Sequence, residues 1–193
     1  MKKHLIQSKI LRYSIFLIAF TPFAACSGGA SQSSEAKEAA NEYNEKKFDD
    51  ENTKIDAQFL IAAAEINLEE IKLGQLAQQN GGSASVKEMG KMMQDAHTQS
   101  YNELTVLAQN KIVTIPTEMN ANGVAFYEKM KGKSGADFDK EYTEIMVRDH
   151  EKAIALFESA ANSSRDAEVK QFAGKMLPVL QTHLNTASAN HKL

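Results

Sequence analysis

The sequence FDKEYTEIMVRDHEKAIALFESAA, residues 138–161, carries an apolar side chain at every third or fourth position. This spacing puts the apolar residues on one face of an α-helix and most of the charged residues on the other faces. The face consists of Phe138, Tyr142, Met146, His150, Ala153 and Phe157. The pattern therefore predicts an amphipathic helix over about 135–162, with a histidine on its buried side.

Three further segments repeat this period and predict helices over about 55–79, 84–110 and 166–189, with a short helix over about 123–131. Their predicted buried faces are Phe59, Ala63, Ile66, Glu70, Leu73 and Ala77; Val86, Gly90, Met93, His97, Ser100, Leu104 and Leu107; and Val169, Phe172, Met176, Val179, Leu180, His183 and Ala187. Ser85, with Glu88 three residues later, is typical of a capping box at the start of the second long helix. Pro178 predicts a kink in the last helix, either bending it around the core or freeing a carbonyl near a site.

The connections between the helices decide how they pair. The first and second helices, and the third and fourth, are joined by short links, which favour antiparallel hairpins. No segment has the alternating pattern of a β-strand. The predicted fold class is all-α, an antiparallel four-helix bundle over residues 53–190 with a long connection between its second and third helices.

Residues 1–25 have the features of a signal peptide. Lys2, Lys3 and Arg12 form a positive region, and an apolar run ending in small residues follows at 15–25. The only cysteine, Cys26, comes directly after this run. The local pattern resembles a bacterial lipobox, which implies cleavage before Cys26 and lipidation of its sulfur; an ordinary signal peptide cut nearby is the alternative. Ser27, by resemblance to enteric lipoproteins, implies the periplasmic face of the outer membrane.

The stretch 26–52 is rich in Ser, Gly, Ala and charged residues and has few large apolar ones. Such a composition predicts a flexible tether between the lipid and the folded domain, with transient helix around 35–47. The chain has 193 residues and a formal net charge of −3. A near-neutral balance without a basic face gives no indication of nucleic-acid binding, so the predicted partner is the membrane, through the lipid.

Each of the four predicted helix faces contains one ionisable residue among apolar neighbours: Glu70, His97, His150 and His183. Buried ionisable groups need partners, and these four have each other or a metal ion. With a helical rise of about 1.5 Å per residue, Glu70 and His97 differ by about 6 Å in height along the helix pair, and His150 and His183 differ by about 8 Å. One layer can therefore hold all four groups. Met93 and Met146 each precede a histidine by four residues, which places them on the same helix face as auxiliary groups.

Four motifs in order resemble the exported, ferritin-like domain-of-unknown-function family 4142. They are FLIAAAEINLEEIKLGQLA at 59–77, MMQDAHTQSYNEL at 92–104, the stretch 138–161, and LPVLQTHL at 177–184. The resemblance covers about 55–187 and implies a ferritin-like four-helix bundle in the bacterial envelope, with no established activity. The family usually has Asp directly before the first histidine, whereas this chain has Ala96 there and Asp95 one residue earlier.

The ligand types argue against a di-iron site. Such a site needs Glu-x-x-His on two helices, but Gln94, Val147 and Leu180 stand three residues before the histidines. Three histidines and Glu70 instead suit one Zn or Cu ion, and the methionines favour Cu(I). The alternative is a structural layer in which Glu70 and Asp149 pair with imidazoles and the methionines fill the core.

Three classes of function remain after these arguments. The first is a non-enzymatic envelope lipoprotein with a role in stress protection or interaction. The second is a periplasmic protein that binds Cu or Zn. The third, a metal-dependent oxidoreductase, is disfavoured by the missing Glu-x-x-His pairs. Nucleophilic catalysis has no support, because no serine or cysteine lies in a nucleophile motif.

Overall fold

The structure of the chain, a computed structural model, describes residues 29–192. Within that range the chain is all-helical, as predicted, and it forms no strand beyond an isolated bridge between Gly81 and Gly135. The helices are α1 (Gly29–Lys47), α2 (Glu51–Asn80), α3 (Ala84–Asn110), α4 (Ala121–Lys131), α5 (Gly135–Ser163) and α6 (Ala167–His191). The predicted signal peptide and Cys26 lie outside the described residues.

The four long helices pack as two pairs. Helix α2 contacts α3 and helix α5 contacts α6, and the pairs meet where α2 touches α5 and α3 touches α6. Because residues 81–83 and 164–166 are the only links within the pairs, each pair is antiparallel. None of the helices in residues 29–192 is both long enough and apolar enough to cross a bilayer.

The N-cap of α3 differs from the predicted capping box. Ser83, and not Ser85, caps α3, because its side chain accepts a hydrogen bond from the Val86 amide at 3.2 Å. Asp139 of α5 accepts hydrogen bonds from the amides of Gly82 and Ser83, both at 2.8 Å. The turn is thereby tied to α5, which fixes the position of one helix pair against the other.

The stretch predicted as a flexible tether is helical over α1, and the second half of α1 is packed. Ala40 and Asn44 lie one turn apart, and they are only 2% and 3% exposed. The Asn44 side chain accepts from the Thr114 amide at 3.0 Å and donates to the Thr114 carbonyl at 2.9 Å. The burial of Ala40 and the two hydrogen bonds between Asn44 and Thr114 thus order this segment, although it contains few apolar residues.

The core consists of two apolar clusters separated by a polar layer. One cluster contains Phe59, Phe157 and Phe172, with the rings of Phe59 and Phe157 edge to face at 5.1 Å. The other contains Phe138 and Tyr142, stacked at 5.5 Å. Along α3, α5 and α6, each histidine of the predicted faces lies between residues of one cluster and residues of the other. The histidines therefore meet at the middle of the core.

The spacing of α2 and α3 and the course of α6 both affect the region where the histidines meet. Helices α2 and α3 approach closely, because a Cβ atom at Gly74 would lie 2.6 Å from the Gly90 carbonyl oxygen. Helix α6 continues from Ala167 to His191 through Pro178, which is exposed to solvent. Since Pro178 lies on the outer face of α6, the interpretation that it frees a carbonyl near a buried site has no support.

Candidate metal centre

Three of the five histidines of the chain meet in the polar layer. His97 comes from α3, His150 from α5 and His183 from α6, and their side chains are 1–2% exposed. Their ring centroids lie 5.2–5.7 Å apart. One nitrogen from each ring can be chosen so that all three atoms lie within 4.8 Å of one another. The structure thus brings together the three histidines that the sequence singled out.

The hydrogen bonds of His97 fix its tautomer. Asn67 donates from Nδ2 to the Ala63 carbonyl at 2.9 Å, so its Oδ1 atom is the one that faces His97. His97 Nδ1 lies 2.9 Å from that oxygen and donates to it. A neutral imidazole carries one N–H, so Nε2 keeps a lone pair. This Nε2 atom is buried and has no hydrogen-bond partner.

The tautomers of His150 and His183 are both determined by the carbonyl group of Met146. His150 Nδ1 donates to the Met146 carbonyl oxygen at 2.9 Å, which leaves a lone pair on Nε2. His183 Nδ1 lies 3.2 Å from that Nε2 atom and donates to it. His183 Nε2 therefore carries a lone pair as well. All three rings are neutral in this network and each has its lone pair on Nε2.

The pKa values agree with neutral rings. Burial, together with the neighbouring His150 and His183, holds the pKa of His97 well below its usual value. Burial also lowers the pKa of His150, and burial with His150 nearby lowers the pKa of His183 to about 4. All three imidazoles are therefore unprotonated near pH 7, and this is the form that binds metal ions.

Glu70 lies next to the cluster without joining it. Its Oε1 atom is 3.9 Å from His150 Nδ1, the ring nitrogen that faces away from His183. Glu70 is 4% exposed and its Oε2 atom has no hydrogen-bond partner. Burial, with Glu69 and Asp149 nearby, raises its pKa well above the usual value. Glu70 thus lies behind the His150 ring, on the side of its Nδ1 atom, and is not one of the three groups whose nitrogens converge.

The other residues considered from the sequence lie around the cluster. Met93 and Met146 are fully buried in the apolar cluster with Phe138, and Met146 contributes its carbonyl oxygen to His150. Asp149 pairs with Arg148 at 3.0 Å and Lys152 at 3.4 Å, and it makes no bond to an imidazole. The structural alternative with Asp149 on a histidine is therefore wrong for that residue.

Asn67 is the residue of the candidate site that the sequence analysis missed. It is 2% exposed and orients His97, as described above. The sequence did indicate that Asn67 is buried with Glu70, because residues three apart lie on the same face of a helix such as α2. Ser100 and Tyr142 add further buried hydroxyl groups without a partner, on the helices of His97 and His150. Unpartnered buried polar atoms thus concentrate on the helix faces that form this layer.

These features define an all-α protein with a buried three-histidine cluster at the centre of its helices. The family described as Domain of unknown function (DUF4142) matches residues 39–189, and the chain belongs to this family. The resemblance noted in the sequence is thereby confirmed. No curated protein and no solved structure matches the chain.

Proposed function

We propose that this protein is an exported lipoprotein whose ferritin-like four-helix bundle, formed by α2, α3, α5 and α6, binds a single Zn or Cu ion through His97, His150 and His183. The observation that carries the proposal is the convergence of three neutral imidazoles from three helices, with ligand atoms within 4.8 Å of one another. Imidazole nitrogens suit Zn and Cu, and three protein ligands are enough to hold either ion.

The chemistry of the donors favours binding over catalysis. No carboxylate joins the three nitrogens, so the di-iron chemistry of ferritin-like enzymes lacks its ligands. The imidazoles are only 1–2% exposed, so a substrate in solvent does not contact them. A buried ion with three fixed ligands is suited to storage, delivery or stabilisation of the fold.

A structural histidine layer is the second candidate. Its support is that every Nδ1 atom of the cluster already has a hydrogen-bond partner. In that case the protein is a non-enzymatic helical domain that acts through its surface. The large hydrophobic side chains exposed in the described residues are Tyr43, Ile55, Val106 and Ile112. They belong to different elements, and nothing among them marks a single apolar docking face.

Thermal unfolding at pH 7.5 separates these two candidates. An ion that binds the folded state raises the melting temperature of the wild type, by an amount set by the ratio of ion concentration to dissociation constant. His150→Gln should abolish the rise with Zn²⁺ and Cu⁺ while the protein without metal stays folded. His191→Gln is the matched control, because His191 is exposed and outside the cluster. A structural layer instead predicts no metal-dependent shift in the wild type.

Lipidation of Cys26 is proposed as the anchor at the periplasmic face of the outer membrane. Its support is the position of the only cysteine directly after the apolar run that ends the predicted signal peptide. Cys26→Ala should move the full chain from the membrane fraction to the supernatant. Sedimentation of this variant with membranes after a high-salt wash would show that another contact holds the protein there.

A further inference from the structure

The donors of the histidine cluster bring no negative charge into the middle of the core. Among residues 29–192, the side chains whose ligand atoms converge there are His97, His150 and His183, and no Asp, Glu or Cys joins them. Each ring is neutral in the hydrogen-bond network of the layer. The cluster is therefore a set of three uncharged donors, in contrast to the carboxylate-rich centres of ferritin-like di-iron proteins.

One carboxyl group borders this cluster. Glu70 Oε1 lies 3.9 Å from His150 Nδ1, and no other carboxyl group of the described residues forms an ion pair with the three rings. Asp149, the residue before His150, is paired with Arg148 at 3.0 Å and with Lys152 at 3.4 Å. Whether Glu70 keeps or loses its proton, the surroundings of the cluster can therefore balance at most one positive charge.

Burial makes the charge of an ion decisive at this position. The three histidines are 1–2% exposed and lie between the apolar cluster of Phe157 and that of Phe138. The cost of moving an ion out of water grows with the square of its charge, so a divalent ion loses about four times as much hydration free energy as a monovalent ion of the same size. The attraction of a neutral imidazole for the ion grows only in proportion to the charge. A buried set of uncharged donors thus favours a monovalent ion.

The number of donors favours the same kind of ion. Zn²⁺ held by protein side chains is almost always four-coordinate in structural sites. The cluster offers three converging nitrogen atoms, one from each ring. Cu⁺ has a filled d shell and a single charge, and it is stable with two or three nitrogen ligands. Three imidazoles therefore complete the coordination of Cu⁺, whereas Zn²⁺ needs a further ligand from outside the cluster.

We propose that the histidine cluster discriminates between metal ions by charge and binds Cu⁺ in preference to Zn²⁺ and Cu²⁺. This inference rests on the proposed function of the cluster and names which of the candidate ions it holds. The divalent ions use the same ligands at higher concentration. Among divalent ions, nitrogen donors bind Cu²⁺ more tightly than Zn²⁺. A preference for Cu⁺ over Cu²⁺ therefore distinguishes this cluster from histidines that bind copper at an exposed surface.

Competition with chromophoric chelators at pH 7.5 measures the three affinities on the full chain, purified without a histidine tag. Cu⁺ is titrated with ascorbate and without oxygen, and Zn²⁺ and Cu²⁺ are titrated without a reductant. Ions that the His150→Gln variant also binds lie outside the cluster and are subtracted. We expect Cu⁺ to bind at least about 100-fold more tightly than either divalent ion. Binding of Zn²⁺ or Cu²⁺ within about tenfold of Cu⁺ would overturn the selection by charge and leave the metal site standing. A wild type that binds none of the three ions would overturn the proposed function itself.

Two variants of equal size isolate the effect of charge. His183→Asn and His183→Asp remove the same ring, and only the second adds a carboxylate. The ratio of Zn²⁺ affinity to Cu⁺ affinity should be at least about tenfold higher in His183→Asp than in His183→Asn, because the carboxylate balances part of the second charge. Far-ultraviolet circular dichroism shows whether both variants fold, and the wild-type affinities decide alone if one does not. Equal ratios in two folded variants would overturn the inference.

Discussion

The Nε2 atom of His150 and the Nδ1 atom of His183 lie 3.2 Å apart. Two imidazole ligands of one tetrahedral zinc ion have nitrogens about 3.3 Å apart, since each Zn–N bond is about 2.0–2.1 Å. The two rings are thus already at the separation that a shared ion requires, and the same separation suits a hydrogen bond between them. An ion held by these two atoms would take the place of this hydrogen bond, and His183 would then carry its N–H on Nε2.

The titration of His183 predicts a loss of stability in mild acid. Its pKa in the folded chain is about 4, against about 6.5 when unfolded. The unfolded state binds the proton more readily between these values, so the contribution of His183 is complete above pH 6.5 and falls as the pH drops toward 4. Between pH 7.5 and pH 5, the wild type should lose about 2 kcal/mol more unfolding free energy than His183→Gln. Urea unfolding with a chelator measures both losses, and equal losses would contradict the prediction.

The ionisation of Glu70 should change stability with pH in the opposite direction, so that stability falls as the pH rises. Burial raises its pKa, so the folded state keeps the proton at a higher pH than the unfolded state does. Its contribution to stability is therefore complete below the unfolded pKa of about 4.5 and is lost as the pH rises through the folded pKa. Glu70→Gln removes this loss, and the variant should melt above the wild type at pH 8.5, with a smaller difference at pH 4. A variant that melts below the wild type at pH 8.5 would mean that the charged carboxylate stabilises the layer.

The aromatic cluster should dominate the stability of the half of the core that contains it. Phe157 is 2% exposed and packs against Phe59 and Phe172, with ring centroids 5.1 and 6.1 Å away. Phe157→Ala should lower the free energy of unfolding by about 3–5 kcal/mol, as large cavities in a core do. Val106→Ala is the control, because Val106 is 57% exposed, and it should change stability by less than about 0.5 kcal/mol. A loss below about 1 kcal/mol in Phe157→Ala would place this ring outside the core.

Two glycines should respond in opposite ways to the same substitution. A Cβ atom at Gly90 would lie 2.6 Å from the Ala77 Cβ and 2.8 Å from the Gly74 carbonyl oxygen, so Gly90→Ala must push α2 and α3 apart. We expect it to destabilise the protein by about 1–3 kcal/mol. A Cβ atom at Gly174 meets nothing within 4 Å, so Gly174→Ala should stabilise α6 by about 0.5–1 kcal/mol. Chemical denaturation of the two variants compares them, and a stabilising Gly90→Ala would rule out the close helix contact.

The helix faces could be predicted because burial in long helices follows a period that a single sequence displays. Every residue of the predicted face on α3, from Val86 to Leu107, is buried in the structure. The convergence of the histidines followed from the same period and from the helical rise. The position of Glu70 did not, because the rise gives the height of a residue and not the side of the ring that it faces. The orientation of the His150 ring depends on the carbonyl oxygen of Met146, which accepts a hydrogen bond from His150 Nδ1.

Other differences arose where local chemistry outweighs composition. The packing of α1 depends on the pairing of Asn44 with Thr114, a contact between residues 70 positions apart that no local pattern encodes. The cap of α3 lies at Ser83 because Asp139 of another helix holds the preceding amides. Asn67 was missed because the predicted buried face of α2 passes through Ile66 at this turn, whereas in the structure Ile66 is partly buried and Asn67 is buried.

Equilibrium dialysis of the full chain, purified without a histidine tag, against Zn²⁺ and separately against Cu⁺ at pH 7.5, followed by elemental analysis, tests the metal site most directly. We expect one ion per chain, displaced as the pH falls because the imidazoles must be neutral to bind it. His97→Gln, His150→Gln and His183→Gln should each lose the ion, and His191→Gln should keep it. No bound ion in the wild type, or one ion that survives all three substitutions in the cluster, would contradict the account.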